Sequence, residues 1–533
     1  MSYFIIILST MFKKKIRCTN FSLSFQTCWN EEYKSTRFFI LMGKVLDEVQ
    51  SNYGKLKIYI DGNFVDSKTD TWGKAYNPAK DEIIAEVPFS TKDEVREAIQ
   101  SAQEAFEKWR EVPITTRIQY LFTLKNRLEE NAETIARIIT QNHGKTIQEA
   151  RGDMRRTIEN VEAAISVAYT LYKGEHLDQV SQDIDESVVR EPLGVFGIIT
   201  PFNFPSMVPF WFLPFAIVLG DTVVIKPSEI TPVPMDFIAK IIHSIGLPNG
   251  VINVVHGAKD VVDELLSNKL IQGITFVGST KVGKYIYENS AKYGKRSIVQ
   301  AGAKNFIVVM PDADLNKAIP SIVSAFFGNA GQRCLAAANL VAVGNIYDEV
   351  KRKFVEASKQ LKLGYGLDES VDMGPVVTKD AKKRILGYIE KGIEEGAKLL
   401  LDGRNVLVQD YPNGYFIGPT IFDEVTPEMT IAREEIFGPV ASIIHAKSLD
   451  EAIDMINKSE YGNASSIFTT SGYYARKFRR EVNAGNIGIN IGIAAPMAFF
   501  PFGGRKNSFF GVLHGQIDSV DFFTDRKVVI TRW

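Results

Sequence analysis

The sequence predicts an α/β fold: two doubly wound, parallel-sheet units and a separate β arm. Three observations predict it. From Leu193, β-branched runs at 194–200, 222–226, 251–255 and 273–277 alternate with helical stretches at 206–219, 234–245, 260–267 and 280–293. Continuous apolar strands joined by helices, most of them ten or more residues long, give a parallel sheet covered on both faces. The pattern restarts after Ala301 with Phe306-Ile307-Val308-Val309-Met310 and runs to about Pro501. Outside both units lie a polar, acidic stretch from His176 to Glu191 and the C-terminal run Lys527-Val528-Val529-Ile530-Thr531, an edge that needs a partner.

Composition bounds the function. A chain of 533 residues, 45% of them hydrophobic, buries a large core and by length holds two to four domains. The formal net charge is −1 and no basic stripe is present, so neither nucleic acid nor a membrane surface is an expected partner. Three cysteines cannot build a disulfide framework and indicate a reducing compartment, the cytoplasm. The six histidines are scattered without ligand spacing, and no metal site is expected.

Taken in order, residues 1–41 form an extension unlike the rest. Its apolar run Phe4–Leu8 is too short to span a bilayer, and Lys13, Lys14, Lys15 and Arg17 precede a Ser/Thr/Phe-rich stretch. A transit peptide would place the protein in the mitochondrial matrix. Glu31 and Glu32 break that pattern, so a start at Met42 is the preferred expectation. The alternating run Lys57–Asp61 with Gly62 and Phe64-Val65 predicts a hairpin. Residues 92–173 carry helical periodicity, with Val95, Ile99, Ala102 and Phe106 on one face, and further helices follow at 116–130, 133–142 and 147–173. The stretch 176–191, with sparse Val180, Ile184 and Val188, reads as a protruding hairpin at a subunit contact.

Phe276-Val277-Gly278-Ser279-Thr280-Lys281-Val282-Gly283 closes a strand and opens a helix, a place where backbone N–H groups and the positive helix end meet an anion such as a pyrophosphate. Thr280 stands at the second glycine of the dinucleotide fingerprint, so the turn alone reads as structural or functional. Lys226-Pro227-Ser228-Glu229 ends a neighbouring strand. A carboxylate there accepts ribose hydroxyls and repels a 2′-phosphate. Cys18 and Cys28 lie in the extension, which leaves Cys334 the lone thiol of the globular body. A lone cysteine beside Leu335 and alanines is more often a small buried hydrophobe than a nucleophile, so its company decides its role.

That company is Pro201-Phe202-Asn203-Phe204-Pro205, Lys226-Pro227-Ser228-Glu229, Phe276–Thr280, Gly331-Gln332-Arg333-Cys334 and Glu434-Glu435-Ile436-Phe437-Gly438-Pro439-Val440. In these motifs, their order and their spacing, residues 55–533 resemble the aldehyde dehydrogenase superfamily. The resemblance implies an aldehyde dehydrogenase-like fold with a dinucleotide-binding domain (42–173 and 192–300), a catalytic domain (301–505) and an oligomerisation arm (174–191 and 515–533) that builds a homo-oligomer, a dimer of dimers. It implies a small-molecule aldehyde as substrate and NAD as cofactor. Cys334 would be the nucleophile, and Asn203 with the Cys334 backbone N–H the oxyanion hole. Thr200, Phe202, Lys226, Ser228, Glu229, Gly278, Ser279 and Gly283 would surround the dinucleotide, Lys226 and Glu229 at the adenosine ribose, with Glu435 and Phe437 on the nicotinamide side.

One departure is informative. Where the family usually has Glu-Leu-Gly-Gly-Lys, with the Glu activating the deacylating water, this chain reads Gln300-Ala301-Gly302-Ala303-Lys304. An amide cannot take a proton at neutral pH, and a missing general base removes about 10²–10⁴ in rate. The acyl-enzyme would await another acceptor, as in the family's coenzyme A-acylating branch, which Phe202, Gly302-Ala303-Lys304-Asn305 and Met310-Pro311-Asp312-Ala313 also resemble. That branch takes a carboxylate-bearing semialdehyde, and the resemblance points to Arg333 and Arg156 as its carboxylate-binding residues. A cation beside Cys334 is also expected to favour the thiolate. Ile493–Phe500, an apolar run, would line the mouth of the substrate tunnel. The alternatives are a hydrolytic dehydrogenase of another semialdehyde or a sugar aldehyde, and a catalytically silent relative.

Overall fold

The computed structural model describes residues 45–533, and the expectations for residues 1–41 lie outside the described residues. Five parallel strands organise the first unit: β1 (Val195–Ile199), β2 (Thr222–Lys226), β3 (Ile252–Val254), β4 (Ile271–Val277) and β5 (Arg296–Gln300). Their spatial order is β3-β2-β1-β4-β5, the doubly wound order in which β1 and β4 diverge to neighbouring positions and open a crevice at their carboxyl ends. β1, β2 and β3 are buried throughout, as apolar strands covered by helices on both faces must be.

Two additions lengthen this sheet. The expected hairpin, Ile58–Ile60 with Asn63–Val65, is not a separate element: Tyr59 pairs with Val254 and carries the hairpin onto the edge of β3. At the other edge, Phe509–Gly511 returns from the end of the chain to pair antiparallel with Ile298–Gln300. A second hairpin, Trp72–Asn77 with Glu82–Pro88, was not expected. The helices Lys92–Trp109, Ile114–Glu130 and Ala132–His143 and the long α1 (Ile147–Thr170) form the predicted helical layer, and the first buries Val95, Ile99, Ala102 and Phe106 as the periodicity requires.

The second unit holds six parallel strands in the spatial order Thr420–Asp423, Val440–Ala446, Ala337–Val343, Asn305–Val309, Ala464–Phe468, Asn486–Ile489, with Lys398–Leu401 antiparallel on one edge. The arm is a three-stranded antiparallel sheet. Thr524–Arg532 pairs along its whole length with Ile184–Pro192, which pairs in turn with Glu175–Ser181. Residues 515–533 do not all join it. Gln516–Phe523 is a helix whose Val520, Phe522 and Phe523 enter the core of the first unit, the Phe523 ring 4.7 Å from that of Phe196. The arm's C-terminal part therefore begins at Thr524. On the arm, His176, Asp178 and Asp185 come together despite their scattered look in sequence, yet Asp185 already accepts from Gln179 N and Trp533 Nε1. Among the described residues no helix is long and apolar enough to cross a membrane.

Candidate active site

α1 opens with a capping box: Thr146 Oγ1 accepts from Glu149 N, and Glu149 Oε2 accepts from Thr146 N at 3.0 Å. From that fixed start, residues at steps of three and four share a face. Glu149, Asp153, Arg156 and Asn160 all line one cavity, with a volume of about 320 Å³, together with Phe204, Trp211, Cys334 and the segment from Ile493 to Phe502. The apolar run Ile493–Phe500 thus lies where the sequence expects it, with Ala498 N donating to Glu159.

The thiol arrives on a strained loop. The helix α2 (Leu315–Phe327) ends at Gly328, and Asn329, Ala330 and Gly331 follow at φ 57°, 50° and 71°. At Gly331 a Cβ would come within 2.2 Å of the Gly438 carbonyl, so only glycine fits. The same contact packs the cysteine motif against Glu434–Val440. Gln332, fully buried, accepts from Val377 N through Oε1. Cys334 follows, its carbonyl accepting from Asn305 Nδ2 at 2.9 Å and Asn463 Nδ2 at 2.8 Å.

Asn203 Nδ2 donates to the Gln332 carbonyl at 3.1 Å, which brings the amide to the cysteine loop and leaves its second N–H free. The Asn203 backbone carbonyl is held by Lys145 Nζ at 2.7 Å. Lys145 is fully buried against Asp153 (3.2 Å) and the Phe204 ring (4.0 Å). Burial pushes each member of this pair toward its neutral form. The Asp153 carboxylate, the Asn203 backbone carbonyl and the Phe204 ring face around Nζ favour the ammonium and oppose the effect of burial. Asp153 Oδ1 also accepts from Met207 N at 2.8 Å.

Arg333 lowers the Cys334 thiol pKa, as expected, but its effect is the smallest of those acting there. Burial, with the nearby Glu435 carboxylate, outweighs it and pushes the Cys334 thiol up to about 12; the Arg333 guanidinium is bound to Glu149 at 2.7 Å. Arg156 is likewise paired, with Glu159 at 2.9 Å. Gln300, at the end of β5, is buried, and neither Oε1 nor Nε2 has a partner among the described residues. Glu435 accepts from Ala303 N at 2.9 Å, and burial pushes it up to about 7. Lys304, in the same cleft beside Cys334, is buried with no partner for Nζ and is pushed down to about 7, opposed by Glu435.

At the crevice, Lys226 Nζ donates to Glu229 Oε2 at 2.9 Å and to the Gly257 carbonyl at 2.8 Å, while Glu229 keeps Oε1 open. Thr200 N donates to the Lys226 carbonyl, and Ser228 Oγ accepts from Ile230 N. The helix α3 (Thr280–Lys292) starts at Ser279 with no side-chain cap. Gly278 N is already spent on the Gln300 carbonyl, so the free donors are those of the first helical turn. A Cβ at Gly283 would lie 2.9 Å from Val299, so this glycine sets how closely helix and sheet pack. Phe202 and Phe437, the latter at φ 53°, meet edge to face with ring centres 5.8 Å apart. Uncapped helical N–H groups above a sheet crevice, with an open carboxylate two strands away on the far side of β1, fit a dinucleotide.

The structure thus brings Cys334, Arg333 and Arg156 together at one tunnel, Asn203 to the loop that carries Cys334, and the residues expected at the ribose and pyrophosphate to one sheet end. Sequence reading missed Lys145, Glu149, Asp153 and Glu159. The i, i+4, i+7 spacing of Glu149, Asp153 and Arg156 was the available signal.

This fold and site define a class. The aldehyde dehydrogenase family model matches residues 64–529, and the chain belongs to that family. Within it, the chain is 49% identical over 480 residues to malonate-semialdehyde dehydrogenase 2 of Geobacillus kaustophilus, covering 90% of this chain and 99% of that one. Two solved structures are similar. Methylmalonate-semialdehyde dehydrogenase from Oceanimonas doudoroffii has TM-score 0.88 and 41% identity, covering 90% of this chain and 98% of its own. A Sinorhizobium meliloti protein assigned as methylmalonate-semialdehyde dehydrogenase and complexed with NAD has TM-score 0.89 and 39% identity, covering 91% and 99%.

Proposed function

We propose that the chain oxidises malonate semialdehyde or methylmalonate semialdehyde with NAD, releases the carboxylate as carbon dioxide, and passes the acyl group to coenzyme A as acetyl-CoA or propionyl-CoA. The observation that carries this reading is the pairing of Gln300, an amide at the deacylating base's position, with two arginines lining the Cys334 tunnel. The names of the relatives above support the substrate.

Cys334 Sγ attacks the aldehyde carbon once its proton has left. The developing oxyanion takes hydrogen bonds from the free N–H of Asn203 Nδ2 and from the Cys334 backbone N–H, and Lys145 holds Asn203 in place through its backbone carbonyl. NAD, when bound, supplies the hydride acceptor; Glu229 and Lys226 would hold the ribose, the first turn of α3 the pyrophosphate, and Glu435 with Phe437 the nicotinamide side. The resulting Cys334 thioester faces no proton-accepting side chain at position 300, so water attacks it slowly. A thiol acceptor brings its own thiolate and needs less help.

The arm supports a homo-oligomer. Val528 and Ile530 are 60% and 66% exposed on a strand whose outer edge is unpaired among the described residues, and a second copy of the chain is its proposed cover. We place the reaction in the cytoplasm, as the cysteine usage reads. The decisive experiment is steady-state turnover of methylmalonate semialdehyde and NAD with and without coenzyme A, with acyl-CoA and free acid quantified. Turnover that ignores coenzyme A and yields acid would make the chain a hydrolytic dehydrogenase.

A further inference from the structure

The two arginines proposed for the substrate carboxylate are already occupied. Arg333 is the better defined. Its Nη2 donates to Glu149 Oε1, and the guanidinium lies so close over Gly328 that a Cβ there would meet it at 2.6 Å. Glu149 is held in turn from three sides. Oε1 also accepts from Asn329 N at 2.5 Å, in the left-handed loop before the nucleophile, and Oε2 accepts from Thr146 N. One carboxylate therefore ties the start of α1, the cysteine loop and Arg333 together. The charged groups around the tunnel balance: Lys145, Arg156 and Arg333 against Glu149, Asp153 and Glu159. A guanidinium has five N–H donors, so Arg333 can serve a second carboxylate while its charge is cancelled by the first.

Resting on the reaction proposed above, we propose that Glu149 is a positioning residue that fixes Arg333 and neutralises it, so that a substrate carboxylate is recognised by directed hydrogen bonds without being trapped as a salt bridge. The consequence falls on the step in which that carboxylate leaves. In the Cys334 thioester the bond from the α-carbon to the carboxylate breaks, and its electron pair moves into the thioester as an enolate whose oxygen is held at the Asn203 amide. Carbon dioxide departs, and water returns a proton to the α-carbon. Negative charge moves away from Arg333 during this step. An uncompensated cation there stabilises the starting carboxylate more than the transition state and slows the reaction. Pairing Arg333 with Glu149 removes much of that drag.

The test is Glu149→Gln in the full chain, because glutamine keeps Oε1 as acceptor for Asn329 and Arg333 while it loses the charge, together with the one hydrogen bond that Oε2 accepts from Thr146 N. Two quantities are read with NAD and coenzyme A present: the KM for malonate semialdehyde relative to that for propanal, and the partition of product between malonyl-CoA, with its carboxylate retained, and acetyl-CoA. The ratio of KM values is expected to fall about 10-fold, the order set by one partly buried charge, and the malonyl-CoA fraction to rise above that of the wild type. An unchanged ratio and partition, or a ratio that rises, overturns the proposal. If the glutamine variant does not fold, Glu149→Ala reads the positioning role. It is expected to lose about 10-fold in kcat/KM for the semialdehyde relative to propanal, as for a displaced substrate-binding group, and an equal loss for both aldehydes overturns it. Arg333→Met separates the two levels of inference. If that variant leaves the KM ratio unchanged, the reading of Arg333 as a carboxylate residue fails, whatever Glu149 does.

Discussion

Replacing Gln300 with Glu should return to this chain the hydrolysis that its sequence lacks. Gln300 is 4% exposed and neither polar atom of its amide has a partner. A buried amide group left unpaired costs about 1–3 kcal/mol, so a protonated carboxyl of nearly the same shape is accommodated without added loss. The ionised form is the costly one. Burial raises the acid's pKa above the ordinary glutamate range, leaving only part of the population as base at pH 7. A full general base contributes about 10²–10⁴, and partial ionisation takes the expected gain in coenzyme A-free turnover toward about 10² at pH 7. The gain should grow with pH until the group is fully ionised. Stopped-flow absorbance of NADH without coenzyme A reads it directly. The wild type should show a burst close to one NADH per site followed by slow turnover, whereas Gln300→Glu should show the same burst and a faster steady phase with free acid as product. A wild type without a burst, or a variant whose burst survives while its steady rate stays at the wild-type level even at pH 9, would refute the reasoning.

Alkylation of Cys334 by iodoacetamide, followed by peptide mass spectrometry in the absence of NAD, should accelerate about 10-fold per pH unit from pH 7 to 9. Its thiol is pushed up to about 12, and below that value each unit of pH raises the thiolate fraction tenfold; a plateau below pH 9 would contradict the burial argument. Asn203→Ala should lower the NADH burst rate by about 10²–10³, the effect of one lost oxyanion donor, and a loss of only a few-fold would mean that the amide serves only the Gln332 carbonyl. NAD should be preferred to NADP, and Glu229→Gln should narrow the kcat/KM preference by about 10-fold, because a carboxylate repels the 2′-phosphate. Since Lys226 is already bound to Glu229 and the Gly257 carbonyl, equal efficiency with the two cofactors would show that its remaining donor outweighs the carboxylate.

The sheets were legible because their strands are buried on both faces and so appear as unbroken apolar runs, with β1 and β2 as examples. Cys334, Asn203 and Glu435 were legible because they stand in ordered motifs. Lys145, Glu149 and Asp153 were not, since charged residues near the start of a helix look solvated until the packing of Phe204 and the cysteine loop buries them. The hairpin Trp72–Pro88 hid behind polar positions such as Lys74 and Glu86, which give only a weak alternation. The sequence does not separate the helix Gln516–Phe523 from the arm, because Val520, Phe522 and Phe523 are as apolar as the strand that follows; only the packing of Phe522 and Phe523 on Phe196 distinguishes the two.

That late return of the chain bears on how the molecule is made. Gln300 completes the last parallel strand of the first sheet, but its neighbour Phe509 emerges about 200 residues later, and the aromatic pair that caps Phe196 later still. At roughly 5–20 residues per second, a nascent chain on the ribosome carries an open strand edge and an uncapped apolar face for about 10–40 s. The first unit cannot close as an independent N-terminal piece, and the whole second sheet must be synthesised while the first one waits. A chaperone that covers strand edges would act in that interval, and a message truncated anywhere before Phe509 would yield a product prone to aggregate.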